Sequence, residues 1–384
     1  MNRIIYFSSA MLPSDFNALV SSSKQSPNPS NQIFHHKLIR ALSLYNEVEV
    51  IVNRPFPKAR GFFNNIPYEK KKEGNITFHY ISFNNSHLLK PWSFRNRAGL
   101  IIGKLFTEKK ETIFMVDSLN LTLAKVARFT SNLHHVTNVG IVTDHPKNLS
   151  GINRKYLKGI LASFKFYDLF LTLTEDLNTF ANPQKKPHYV FPGLVEEVKV
   201  PKTMTQRPFM FFGGALYERY GVSNLMNAFS TFSGDCDLVI AGQGPASVAV
   251  RTAAKKDSRI IYVGMVNPVE VLKYQKNSIL NINPRPHDEN IDRYSIPSKM
   301  LDYMGSGVLT LSVRNQVLYA LAGDSVLWAK SGSVEDLRAA LETFAAMDPS
   351  EKEKLAQEAK KRVFERFALD IQGSKISYFI KSNK

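Results

Sequence analysis

Cysteine is almost absent from this chain. The single thiol, Cys236, cannot close an intramolecular disulfide and leaves no multi-cysteine metal site, which points to a reducing compartment. Also missing is any run approaching the roughly 18 apolar residues that a bilayer-spanning helix needs. The opening Met1-Asn2-Arg3-Ile4-Ile5-Tyr6 leads into a strand rather than a signal peptide. A protein neither secreted nor membrane-spanning is expected. The nine histidines show no metal-ligand spacing, and no internal repeat is present. Low complexity is confined to the Ser/Pro/Asn-rich stretch 21–31, expected as a loop after the first strand.

Acidic residues are the other shortage. Fifty Lys and Arg face 33 Asp and Glu, a net charge of +17. Residues 1–200 hold 26 basic and 14 acidic side chains, so most of the excess lies in the first half. Nucleic acid, anionic lipid and phosphorylated substrates all suit such a balance. No recognisable nucleic-acid module accompanies it and the basic residues are dispersed, which argues against DNA or RNA.

What the chain does have is ordinary globular composition, 43% apolar and 22% charged over 384 residues, enough for two domains each with its own core. Short apolar, β-branched and aromatic runs predict strands over 4–8, 48–52, 76–82, 112–116, 139–143, 169–174 and 188–191. A second set falls at 209–212, 238–241, 260–263, 279–283, 308–312 and 326–330. Several are continuously apolar, as strands covered on both faces are. Helical patterns alternate with them, including 32–44, 221–232, 268–275, 297–305, 334–344, 349–366 and 373–380. Alternation at this spacing means βαβ units and a doubly wound sheet, occurring twice. The Pro- and Val-rich stretch from Pro192 to Pro201 separates the sets, giving domains 1–197 and 198–366, with 367–384 a C-terminal helix.

In open α/β sheets, ligands bind beyond the carboxyl ends of the strands, near helix N-termini. The richest such stretch runs from Asn283 through Arg285, His287, Asp288, Glu289, Asp292, Arg293, Tyr294, Ser295, Pro297, Ser298 and Lys299 to Asp302. The first turn of the helix beginning at Pro297, with Ser298 and Lys299, suits a diphosphate. Asp302, one turn on, suits the hydroxyls of a ribose. Ordinary first-turn residues with a solvated lysine would read the same way. Gly213-Gly214 follows another strand, where backbone amides can approach a phosphate and Arg219 can reach it. The strand-to-helix turn Ala241-Gly242-Gln243-Gly244 implies only tightly packed backbone. In the first half, Thr143-Asp144-His145-Pro146 puts a carboxylate and an imidazole at a strand end, suited to a sugar hydroxyl or to local loop hydrogen bonds. His35-His36 reads as an exposed or packing pair. The basic, aromatic stretch 90–110 has an apolar stripe that suits either an anionic membrane surface or packing on its own sheet.

Taken in order, Phe211–Val222, Asp237–Pro245, Val263-Gly264-Met265-Val266 and Tyr294–Gly307 resemble the donor domain of family-four, GT-B-type glycosyltransferases that build bacterial surface polysaccharides. The first half resembles the acceptor domain more loosely, through its first strand, residues 31–52 and Thr143–Pro146. The resemblance implies two Rossmann-like, doubly wound domains facing across a cleft, with a C-terminal helix crossing back. It implies a retaining, metal-independent transferase with no cofactor beyond its co-substrate, a nucleotide-sugar with UDP favoured. The acceptor would be a saccharide, lipid-linked, at the inner face of an anionic membrane, the protein being cytoplasmic and peripheral.

By the same resemblance Asp144 and His145 are catalytic. Gly213, Gly214, Arg219, Gly242, Met265, Arg285, Tyr294, Ser295, Pro297, Ser298, Lys299 and Asp302 bind the donor, with the base near Gly264-Met265-Val266-Asn267. Arg293 also lies among the cations facing the leaving diphosphate. Three positions depart from the pattern, one of them the Gly214-Ala215 step, where the family has an arginine after the strand. The family's first glutamate falls at Tyr294, leaving Asp288, Glu289 or Asp292 to replace it, and its lysine falls at Tyr220, beside Arg219. A non-catalytic partner of a true transferase and a nucleotide-sugar epimerase are the rival readings.

Overall fold

The computed structural model describes residues 2–22, 29–56, 65–86, 89–149, 152–197, 199–201, 207–297 and 299–383. The chain divides into a first unit, Met1–Leu194 with Leu369–Lys384, and a second, Val195–Ala368.

The first unit contains β1 (Arg3–Ser8), β2 (Glu47–Val52), β3 (Asn65–Ile66), β4 (Glu69–Glu73), β5 (Ile76–Tyr80), β6 (Phe83–Asn84), β7 (Thr112–Asp117), β8 (Asn138–Val142), β9 (Leu169–Thr172) and β10 (His188–Val190). Its main sheet has the order β10-β9-β8-β7-β1-β2-β5-β4, all parallel except β4, while β3 and β6 form a separate antiparallel ribbon. The sequence Glu69-Lys-Lys-Lys-Glu73 carries no apolar signal. It becomes a strand because a charged edge strand can pair with β5 on one side while its side chains stay in water. Of the stretch expected as a loop over 21–31, residues 21–22 and 29–31 are helical and 23–28 lie outside the described residues. Pro13–Ser22 and Pro29–Ser43 are helices, with Pro29 supplying the preset φ that opens the second. One core lies under the Pro29–Ser43 helix, where Tyr6, Leu38, Val50 and Phe78 meet Ile376 and Ile380 of the last helix, Leu369–Ser382.

The second unit contains β11 (Phe209–Gly213), β12 (Asp237–Ala241), β13 (Ile260–Gly264), β14 (Leu280–Asn283), β15 (Thr310–Val313) and β16 (Leu327–Ala329), in the all-parallel order β13-β12-β11-β14-β15-β16. The order reverses between β11 and β14, and open α/β sheets bind ligands beyond the carboxyl ends of the strands at such a reversal. Sequence-coded caps start its helices: Asn267 accepts from Glu270 N–H before Pro268, and Ser333 accepts from Asp336 N–H. The helix expected from Pro297 begins at Lys299. Pro297 remains outside it and its carbonyl accepts from Met300 N–H.

Candidate nucleotide-sugar site

The crevice of the second unit is built on glycines. At the end of β11, Gly213 is held from both sides by the buried Tyr303 hydroxyl, which accepts from Gly213 N–H (2.9 Å) and donates to its carbonyl (3.2 Å). Gly214 follows at φ +154° and its N–H donates to Ala241 O. The turn after β12 lies directly against it. A β-carbon on Gly242, at φ +135°, would sit 1.8 Å from Gly214 O, so two turns of backbone meet here with no room for any side chain.

Lys299 comes up to this floor from the first position of the Lys299–Gly305 helix. Its Nζ lies 4.3 Å from the centroid of the Phe212 ring and 3.4 Å from where a β-carbon on Gly214 would be. The side chain is half-buried, and among the described residues no hydrogen bond or carboxylate meets the ammonium. Burial, with the nearby Arg285 charge adding to it, pulls this amine down to about 7. The Lys299 helix has seven residues, too short to supply much dipole, so the positive charge at this site resides in side chains rather than in the first-turn amides.

Arg285, also expected at the donor, is already engaged: its guanidinium donates to Asp292 Oδ1 at 2.7 Å. The other oxygen, Asp292 Oδ2, faces His287 Nδ1 (2.7 Å) and accepts from Asn315 Nδ2 (3.2 Å) and Asp288 N–H (3.2 Å). Asp292 is thus buried and ties the loop together through several partners, whereas Asp288 and Glu289 are exposed on the same loop. Arg293 lies 5.8 Å from the half-buried Tyr294 ring, and Ser295 is half-buried beside it. Arg219 is exposed, flanked by the rings of Tyr217 (5.1 Å) and Tyr220 (5.2 Å). Met265 is exposed just after Gly264, which adopts φ +71°. Asp302 is half-buried and lines an open recess with Ser306, Gln275 and Lys360. Ser298 lies outside the described residues.

In the first unit, Asp144 Oδ1 accepts from the backbone N–H of His145 and from Asn148 Nδ2, both at 2.7 Å. His145 Nδ1 accepts from Lys147 N–H (3.1 Å), and the ring lies 4.1 Å from that of Phe180. Partial burial, reinforced by Lys147, lowers the imidazole below its usual value. With Nδ1 accepting, the hydrogen of the neutral ring sits on Nε2, so His145 offers a donor and not a base.

Sequence reasoning missed a second cluster at the carboxyl ends of β1 and β7. Tyr6 Oη lies 2.7 Å from His35 Nδ1, and His35 Nε2 lies 3.6 Å from Asp117 Oδ2. Asn31 bridges Ser9 (3.3 Å) and Asp117 (3.5 Å). Burial raises the Tyr6 phenol and lowers His35. His35 is therefore an internal packing residue, and Asp117, at the point where the strand order reverses, was legible only as the last residue of an apolar run.

The architecture is the GT-B fold. Sucrose-phosphate synthase from Thermosynechococcus elongatus is 10% identical over 100% of both chains with a TM-score of 0.69. Trehalose-6-phosphate synthase OtsA is 13% identical over 98% of both with a TM-score of 0.69. HepE of Anabaena, solved with UDP-glucose, is 10% identical over 100% of both with a TM-score of 0.64. At such identities the likeness is one of fold. Sequence adds to it over residues 224–371, nearly all in the second unit, which match a family model described as glycosyl transferase-like. No curated protein sequence matches the chain. Among the described residues no helix is long and apolar enough to cross a membrane, and no three His, Cys, Asp or Glu side chains group as metal ligands.

Proposed function

We propose that the protein is a retaining glycosyltransferase of the family-four type, moving a sugar from a UDP-sugar to a lipid-linked saccharide during surface-polysaccharide synthesis. The observation that carries the reading is Lys299. An amine set beside the Phe212 ring and the Gly214 backbone, with no carboxylate beside it among the described residues, suits the charge of a phosphate. A nucleoside diphosphate would set its charge on Lys299 and the neighbouring Arg285, with Arg219 at the exposed edge, so that charge developing on the leaving group is met by side chains without a metal. Asp302 would accept from the ribose hydroxyls and Met265 would cover the base. Gly213, Gly214 and Gly242 let backbone approach the phosphates. Tyr294, Ser295, Pro297 and Ser298 form the loop wall around the transferred sugar. In the first unit, His145 would donate from Nε2 to orient the acceptor, held by Asp144 through its own turn.

The experiment is transfer or hydrolysis with a panel of UDP-, dTDP- and GDP-sugars, followed by product analysis. Turnover of a UDP-sugar with the anomeric configuration retained is expected, unaffected by a metal chelator. Absence of any nucleotide-sugar binding at millimolar concentration overturns the reading, and an isomerised donor formed without acceptor makes the protein an epimerase. A non-catalytic partner subunit is the second reading, favoured by Tyr294 standing where the family has an acid and by Asp292 being engaged elsewhere. Asp302→Ala leaving an assembled complex fully active would support it.

A further inference from the structure

Asp302 shares its recess with Gln275, a polar side chain that the sequence motifs do not include. Gln275 stands in the last turn of the Pro268–Asn277 helix and is only 3% exposed. Its amide oxygen, Oε1, is shut off from solvent and has no hydrogen-bond partner. The neighbouring polar groups are engaged with one another instead. Asn281 Nδ2 donates to the Gln275 backbone carbonyl (3.0 Å) and to Ser306 Oγ (3.1 Å), and the Ser306 hydroxyl donates to Tyr303 O (2.6 Å). A buried acceptor left unmade costs free energy that a Leu or Met at the same position would not. Asp302 and Ser306 fall four residues apart, so both face the recess from the Lys299–Gly305 helix. Gly305 lets that helix close against Val195, since a β-carbon there would lie 2.6 Å from Val195 Cγ2. One recess thus presents a half-buried carboxylate and a fully buried amide oxygen.

We infer that Gln275 Oε1 accepts from the 2′-hydroxyl of the bound nucleotide, so that the recess selects ribonucleotide donors over their 2′-deoxy counterparts. The inference rests on the donor site proposed above and deepens it with a specificity residue besides Asp302. Position chooses the hydroxyl. Lys299, at the start of the Asp302 helix, sets the phosphate end of the ligand. The Gln275 helix leaves directly from the Met265–Asn267 turn, where the base would lie. A ribose between the two turns its base-side hydroxyl, the 2′-OH, toward Gln275 and leaves the 3′-OH to Asp302. Each hydroxyl has one proton to donate, so a vicinal pair is well met by two separate acceptors. Such a site rejects the ligand that lacks the hydroxyl, because the buried oxygen is then stranded beside it.

The test is calorimetry of the full chain with UDP, 2′-deoxy-UDP and 3′-deoxy-UDP. Wild-type protein should bind UDP roughly 10- to 100-fold more tightly than 2′-deoxy-UDP. Gln275→Met, of similar length, should weaken UDP and 3′-deoxy-UDP by about tenfold each and leave 2′-deoxy-UDP unchanged. Gln275→Glu retains an oxygen acceptor and should retain the preference for UDP over its 2′-deoxy form. A merely structural role for Gln275 would weaken all three ligands alike in the Met variant, and that result overturns the inference. Wild-type protein that binds UDP and 2′-deoxy-UDP equally overturns it without any variant, while the transferase reading stands. If UDP does not bind at all, the donor site itself falls and this inference falls with it.

Discussion

Lys299 Nζ sits 4.3 Å above the Phe212 ring, at the carboxyl end of the central strand of the second sheet. The pairing places a cation where the chain has no anion of its own to offer it among the described residues. A ring face stabilises an ammonium only weakly compared with a phosphate, so the side chain is held in position without being satisfied.

Replacing Lys299 by Met keeps the packing against Phe212 and removes the charge. Binding of UDP, measured by calorimetry, should weaken by roughly 10- to 100-fold, and turnover of a UDP-sugar should fall by about 10²–10³. Wild-type affinity in the Met variant would place the phosphate elsewhere.

The lowered Lys299 amine predicts a pH dependence with a definite sign. A lysine depressed to about 7 in the folded protein is protonated below that value and increasingly neutral above it. UDP binds the charged form, so affinity should be full near pH 6 and fall by up to about tenfold per unit as pH rises beyond 7, with proton uptake on binding. In the absence of ligand the linkage acts on folding. The unfolded chain holds this proton up to its higher ordinary value, so stability from this group rises between about pH 7 and 10. Calorimetry in buffers of different ionisation enthalpy reads the proton uptake, and Lys299→Met should abolish it.

Gly242→Ala tests the floor of the site. Its β-carbon would overlap Gly214 O, a backbone atom that cannot rotate away, at a φ that L residues avoid. A cost above about 2 kcal/mol is expected, seen as a drop of roughly 5 °C or more in melting temperature. Unchanged stability would show that the two turns have room to part.

Asp302→Asn separates ribose from phosphate. If the carboxylate accepts from the ribose hydroxyls, affinity for UDP should fall about tenfold while affinity for inorganic pyrophosphate stays the same. An equal loss for both ligands would instead tie Asp302 to the phosphates or to folding.

Asp292→Ala removes the carboxylate that Arg285, His287 and Asn315 share. Stranding a buried guanidinium costs about 3–5 kcal/mol, so thermal unfolding should shift well below wild type. Asp288→Ala, on the exposed part of the same loop, should leave the melting temperature within about a degree.

Much of this protein was settled by residue order alone. Thirteen of the strands announce themselves as short apolar runs, because a parallel strand covered on both faces must be apolar throughout. Their alternation with capped amphipathic helices leaves few topologies besides two doubly wound sheets. The polar stretch that follows Asn283 and the paired glycines at 213–214 stand out for the same local reason, as polar or flexible residues at the end of a strand.

Tertiary structure decided the rest, wherever a residue's meaning lies in a partner far along the chain. Glu69–Glu73 became a strand only because β5 offered an edge. Arg285 and Asp292 read as separate polar residues of one loop, and only folding shows them as an ion pair. His35 became internal by meeting Tyr6 and Asp117. Lys299 acquired its lowered proton affinity from burial beside Phe212 and Arg285. Local pattern reports hydrophobic periodicity and turn chemistry, whereas proton affinity and partner choice depend on through-space distance, which the order of residues does not contain.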